Sequence, residues 1–428
     1  MGDRVKLQGR RTRQIRSVVS LFTGAGGLDV GLEAAGFSVS ICVEVDEDAR
    51  GTLNTNRPQW TLAEPGDIQK TNPGEILTQG GLRKGEVTLL AGGPPCQPFS
   101  KSAYWANGDT RGLRDPRANA LKAYLKVVEA ALPKVILLEN VRGLVLNEKD
   151  LGGLELLRNG LRRINRRQGS RYKLQVVHLN AASYGVPQFR ERVFILASID
   201  GRAIRVPPPT HGDEDQDHLE PYRTAWDAIG HLDNGACPPH LEPTGKWAGL
   251  LKSIPEGWNY LWHTPRHGGE PLFGWRTKYW SFLLKLSKRR PSWTIQAEPG
   301  PATGPFHWRN RLLSIAELAH LQTFPDDYEI VGNRRSAQRQ IGNAVPCALG
   351  EFLGLEIRRQ LLDERRVRRQ LTLIPRQRDR CPRAHPSRAV PLEYLTLRGE
   401  HPDHPGKGLG PGKIWNDPPT KKRGGGVT

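Results

Sequence analysis

Between residues 17 and 200 short β-branched apolar runs alternate with amphipathic stretches. The runs Val18–Phe22, Val39–Val45, Val87–Ala91, Val135–Glu139, Leu174–Leu179 and Val193–Ile199 predict strands. Leu28–Ala35, Ala118–Ala131 and Leu154–Ile164 predict the helices between them. That rhythm predicts an α/β fold, a doubly wound and mostly parallel sheet covered by helices. The texture changes after Asp200: residues 201–310 are rich in Pro, Gly, His and Trp and lack clean periodicity. Eight of the eleven tryptophans fall between Trp226 and Trp308, which predicts a packed irregular domain rather than a disordered one. Helical order returns at Ser314-Ile-Ala-Glu317, which has capping-box spacing, and a further helix is expected from about 345 to 369. The Pro-, Gly- and Arg-rich remainder reads as a disordered tail.

The resulting division is a basic arm at 1–16, a catalytic domain of 17–200 plus 336–366, an inserted domain at 201–335 and a basic tail at 367–428. At 428 residues, 37% hydrophobic and 25% charged, the composition is that of an ordinary folded protein. No apolar run approaches the roughly 18 residues a membrane span needs, and the basic N-terminus has no apolar stretch behind it, so a cytoplasmic location is expected. Five cysteines without a Cys-x-x-Cys pair exclude a disulfide framework and a four-cysteine zinc site. Cys237-Pro-Pro-His240 lacks a second ligand pair, so no metal is expected. The net charge of +19 suits a polyanionic partner such as nucleic acid. Its distribution weakens that argument: residues 1–16 carry +5 and 357–428 carry +10, and solvated tails account for them equally well.

Four motifs carry the chemistry. Phe22-Thr23-Gly24-Ala25-Gly26-Gly27-Leu28 follows the first strand, where glycines permit a tight turn and close ligand approach beside a helix N-terminus. Glu44, twenty residues after Gly24, is placed to bind ribose hydroxyls. Asp29 stands where a dinucleotide fingerprint needs its third glycine, so a nucleoside without a pyrophosphate fits better, and a purely structural turn stays open. Cys96, in Gly92-Gly93-Pro94-Pro95-Cys96-Gln97, sits on a rigid loop after a strand, which favours a nucleophilic thiolate over a core cysteine. Glu139, in Glu139-Asn140-Val141, ends an apolar strand: either a desolvated general acid or half of a salt bridge. In Gln188-Phe189-Arg190-Glu191-Arg192, alternation places Arg190 and Arg192 on one face, able to orient a carboxylate.

In this order, with GDI at 66–68, LQTFPDDY and QIGNAVP, the motifs resemble the cytosine-C5 DNA methyltransferases of the prokaryotic modification-enzyme type. The resemblance spans 18–200 and 311–350. It implies that Cys96 adds to C6 of a flipped-out cytosine while Glu139 engages N3, Arg190 and Arg192 hold O2 and the Glu139 carboxylate, and C5 takes a methyl group from S-adenosylmethionine. Cofactor contacts carried over by motif position are Phe22, Gly24, Gly26, Gly27, Leu28, Glu44, Asp67, Ile68, Pro94, Asn343 and Val345. The loop after Cys96 would close over the base, with Ser100, Lys101, Arg111, Arg114 and Arg117 on the DNA.

Residues 201–310 occupy the place of the target-recognition domain, and Arg202, Arg205, Arg223, Arg266 and Arg276 are available there for bases. Double-stranded DNA is the implied substrate of a monomer that works with or without a cognate restriction endonuclease. Two departures stand out: Val45 replaces the aromatic residue often found after the ribose-binding acid, and Cys347 follows GNAVP, where it is expected to be a buried spectator. The rivals are a tRNA cytosine methyltransferase and a catalytically silent DNA-binding homologue. The long recognition segment speaks against the first, and the intact Cys96, Glu139 and Arg192 against the second.

Overall fold

The computed structural model describes residues 15–94, 119–140, 152–275, 279–378 and 380–401. Its centre is a seven-stranded sheet. The strands are β1 (Ser17–Leu21), β2 (Ser38–Val43), β3 (Thr61–Leu62), β4 (Leu89–Gly92), β5 (Val135–Asn140), β6 (Gln175–Asn180) and β7 (Glu191–Ser198), in the spatial order β3-β2-β1-β4-β5-β7-β6. Only β7 runs antiparallel, to β5 and to β6. The chain order reverses between β1 and β4, so a crevice opens outside their carboxyl ends, where such sheets bind ligands.

Alternation along β1 explains the two-sided burial. Val18 packs into one core, while Val19 and Leu21 pack into the other. On the first face lie α1 (Gly27–Ala34) and a late helix, Cys347–Gln360. On the second lie Pro73–Gln79, Asn119–Ala131 and Gly152–Gln168. The loop-following helix α2 (Glu47–Asn56) was not anticipated, because it buries only Ala49, Thr52 and Leu53 and shows no broad apolar stripe; Asp46 caps it by accepting from the Ala49 amide.

Helix Cys347–Gln360 meets α1 almost backbone to backbone. A Cβ on Gly31 would lie 2.1 Å from the Cys347 carbonyl oxygen, and one on Gly354 would lie 2.6 Å from the Ala35 Cβ. The last part of the fold is thereby locked to the first. This helix stops at Gln360 instead of continuing to about 369, because Asp363 turns into the left-handed region (φ 55°) and Glu364 is held by Arg16 and Arg358.

The recognition segment divides differently from the sequence-based boundaries. Ala225, Leu286, Ile295, Trp308, Leu313 and Leu318 belong to the catalytic core, and a separate core forms around Leu250, Leu251, Ile254, Tyr260, Leu283 and Phe306. Trp247 packs there among Phe273, Phe282 and Tyr394, so the tryptophan richness is packing. Tyr394 comes from the expected disordered tail, and that expectation fails for residues 367–401. The fully buried Glu351 carboxylate accepts hydrogen bonds from Arg368, from the amide and hydroxyl of Thr372 and from the amide of Leu373. Val390, Tyr394 and Leu397 then cover the recognition core. A basic, Pro-rich composition concealed a few well-spaced apolar anchors. Residues 402–428 and 1–14 lie outside the described residues.

Candidate active site

The turn after β1 is built by its backbone. Phe22 sits at φ 56°, rare for a residue with a side chain, and Gly24 (φ 56°) and Gly26 (φ 77°) share that region. The Glu44 carboxylate holds the turn: Oε2 accepts from the Gly24 amide at 2.7 Å, and Oε1 accepts from the Val45 and Asp46 amides at 2.8 Å each. A carboxylate offers about four acceptor sites, so Glu44 keeps capacity for one more donor. From below, the Tyr328 hydroxyl donates to the Ala25 carbonyl at 2.8 Å.

Above this turn lies a cavity of about 500 Å³, ordinary for a small-molecule site. Phe22, Gly24, Gly27, Leu28, Glu44, Asp67, Ile68, Pro94, Asn343 and Val345 all line it. Gly26 does not; it is the N-cap of α1, and a Cβ there would strike Leu53 at 2.9 Å. Val45 is 67% exposed at the rim, an apolar surface available to a flat ring. Asp46 and Arg339 form a 2.6 Å ion pair among the lining residues. A glycine turn, an acid with spare acceptor capacity and apolar walls fit a nucleoside-bearing methyl donor.

Across the cavity stand Glu139, at the end of β5, and Arg192, at the start of β7. Their Oε1 and Nε are 2.8 Å apart, although the N–H is not aligned for a hydrogen bond. Both side chains are largely buried, at 11% and 14% exposure, so the carboxylate is desolvated and also paired. Antiparallel pairing of β5 with β7 places the two residues near each other, with Glu139 opposite Phe194. A Cβ on Gly93 would sit 3.3 Å from Glu139 Oε2, and the Asn140 amide donates to the Pro94 carbonyl at 3.3 Å. The pair therefore faces the strand end that leads into Pro95-Cys96.

A family model described as C-5 cytosine-specific DNA methylase matches residues 16–359. The chain belongs to that family. Type II methyltransferase M.SacI of Streptomyces achromogenes is 39% identical over 379 residues, covering 81% of this chain and 94% of its own. M.NgoFVII of Neisseria gonorrhoeae is 33% identical over 333 residues, 77% of this chain and 83% of its own. Among solved structures, Spodoptera frugiperda DNMT2 (a mutant form) superposes with a TM-score of 0.54 at 16% identity, over 79% of this chain and 98% of that one. Entamoeba histolytica methyltransferase EhMeth superposes with a TM-score of 0.52 at 15% identity, over 82% and 99%. The protein is a DNA cytosine-5 methyltransferase, and its substrates are DNA and a methyl donor.

Within this methylase the two arginines of the fourth motif part company. Arg190 does not join Glu139: it is fully buried, and its guanidinium donates to the carbonyls of Gly342 (2.7 Å), Ala344 (2.8 Å) and Ile295 (3.3 Å). Simple alternation fails because Arg190 precedes β7, beyond the regular pleat. Gln188 works beside it, donating to the Leu321 carbonyl and Gln322 Oε1. Gln322 in turn donates to the Ile341 carbonyl.

Arg202 is also displaced. Antiparallel β7 carries it to the opposite end of the sheet, where it pairs with Asp200 and Asp363, and the Arg205 amide is tied to Gln360 nearby. Neither serves base readout. Arg223 is held by Glu220, and Arg266 lies over Trp275 at 4.2 Å. Cys96, Ser100, Lys101, Arg111, Arg114, Arg117 and Arg276 lie outside the described residues. Sequence reasoning missed Asn140, Gln322 and Tyr328, although each stood inside a quoted motif. Asp29 and Arg339 also line the cavity without a sequence-based role.

Proposed function

We propose that this methylase uses S-adenosylmethionine and forms a covalent adduct between Cys96 and the target cytosine. The 2.8 Å Glu139–Arg192 pair, set against Gly93 and Pro94 at the entrance to the Cys96 loop, supports this reading best. Glu44, Asp67 and Ile68 would hold the nucleoside end of the donor, and the Gly24–Leu28 turn with Asn343 and Val345 the remainder. When bound there, the donor supplies the electrophilic methyl carbon. Cys96 thiolate adds to C6 of the flipped cytosine, Glu139 hydrogen-bonds or protonates N3, and electron density moves to C5. Arg192 keeps the Glu139 carboxylate in place, which leaves its second oxygen for the base. After methylation a base removes the C5 proton, and elimination across C5–C6 returns the Cys96 thiolate. The enzyme works as a monomer in the cytoplasm of a prokaryote, as the modification partner of a restriction endonuclease.

Bisulfite sequencing of DNA from a methylation-free host tests this. The wild type protects cytosines within one short sequence, and Cys96→Ser protects none while still binding that sequence. A serine variant with near-native turnover would overturn the thiolate mechanism, and protection of tRNA alone would return the rival substrate.

A further inference from the structure

Beneath the glycine turn, Asp29 is a buried acid for which the catalytic chemistry has no use. It lies in the first turn of α1 with 1% exposure, and it lines the floor of the cavity beside Ser20 and Thr23. The Ser20 hydroxyl hydrogen-bonds to its carboxyl, and Thr23 Oγ1 reaches Ser20 Oγ at 3.1 Å. Asp29 Oδ1 has no partner among the described residues. An unmatched carboxylate oxygen is costly in such a place unless a cation completes it. Among the described residues the groups facing Asp29 are Glu33 on its own helix, Cys42 from β2, Tyr328, and Cys347 opening the late helix. None of them is a cation, and Glu33 is already paired with Arg57 at 2.7 Å.

The donor assigned above carries a cation of matching size, the α-ammonium of its amino-acid end. We propose that Asp29 is a binding residue for the methyl donor, its Oδ1 receiving that α-ammonium at the floor of the cavity. The assignment rests on the reading that the donor is S-adenosylmethionine. It adds a specificity element: adenosyl compounds lacking the ammonium are discriminated against.

Isothermal titration calorimetry tests it with S-adenosylhomocysteine and with its deamino analogue, in which hydrogen replaces the α-ammonium. Asp29→Asn weakens S-adenosylhomocysteine by about 10- to 100-fold, the range of one charged hydrogen bond. It leaves the deamino analogue within about twofold, which also shows that the variant is folded. Burial holds the Asp29 carboxyl up at about 7 in the free protein, so wild-type affinity for S-adenosylhomocysteine rises from pH 6 to 7.5 and the Asn variant loses that rise. Cys42, Cys347 and Tyr328 are pushed upward by burial and do not titrate in that window. Equal weakening of both compounds, or no weakening of either, overturns the proposal. If neither compound binds the wild type, the donor assignment itself has failed.

Discussion

Arg190→Met removes a guanidinium while keeping most of its volume. The arginine is fully buried and donates to three main-chain carbonyls, two of them at 2.7 and 2.8 Å. After substitution the Ala344 carbonyl retains Gln322 at 3.3 Å, but the printed partner of the Gly342 carbonyl is lost. Two strong charge-assisted bonds at about 1.5–3 kcal/mol each, less what the apolar side chain regains, come to a loss of about 3–5 kcal/mol. At about 2–4 °C per kcal/mol for domains of 150–250 residues, Tm falls by about 6–15 °C. Thermal unfolding followed by circular dichroism measures this, beside methylation rates at a temperature where the variant is folded. The matched variant Arg192→Met should show the reverse, near-native Tm and lost methylation. An Arg190→Met enzyme with native Tm and no activity would refute the structural role and return Arg190 to the chemistry.

Two further outcomes follow. Deleting 402–428 leaves Tm unchanged and weakens DNA binding mainly at low salt, whereas deleting 367–428 lowers Tm, because it strips four hydrogen bonds from Glu351 and Tyr394 from the recognition core. An unchanged Tm after the longer deletion would refute the packing argument. Burial holds the His307 imidazole down to about 3, beside Glu317, Arg311, Asp233 and Arg309. The unfolded chain therefore takes up a proton that the native state refuses as pH falls below about 6.5, and stability declines from there toward pH 3. His307→Asn should flatten the denaturant-midpoint curve between pH 6.5 and 4.5, a window above the carboxylates, and an unchanged slope would count against it.

The sheet was legible because β1, β4 and β5 are buried on both sides and read as apolar runs, which polar strands would not. The donor cavity was legible because glycine turns and strand-end acids are local features, and ten of the eleven residues expected there line it. The twenty-residue step from Gly24 to Glu44 closes into a hydrogen bond. What stayed hidden depends on long-range partners. The Arg190 side chain is claimed by carbonyls about 150 residues away, and the same strand reversal that brings Arg192 to Glu139 takes Arg202 to the far end. No local pattern encodes either. The tail was misread for a related reason: Thr372 and Tyr394 matter through single contacts, which composition averages away.

The seam between α1 and helix Cys347–Gln360 has a consequence for the order of synthesis. Gly31 and Gly350 are buried against partners made more than 300 residues apart, and Asn343 and Val345 close a cavity begun by Phe22. At about 5–20 residues per second, the ribosome takes on the order of half a minute or more between the two halves of the seam. During that interval α1 has an uncovered glycine face and the donor cavity has one wall missing. The growing chain therefore has no complete site for the methyl group until nearly all of it has been made, and methylation begins only with a finished enzyme.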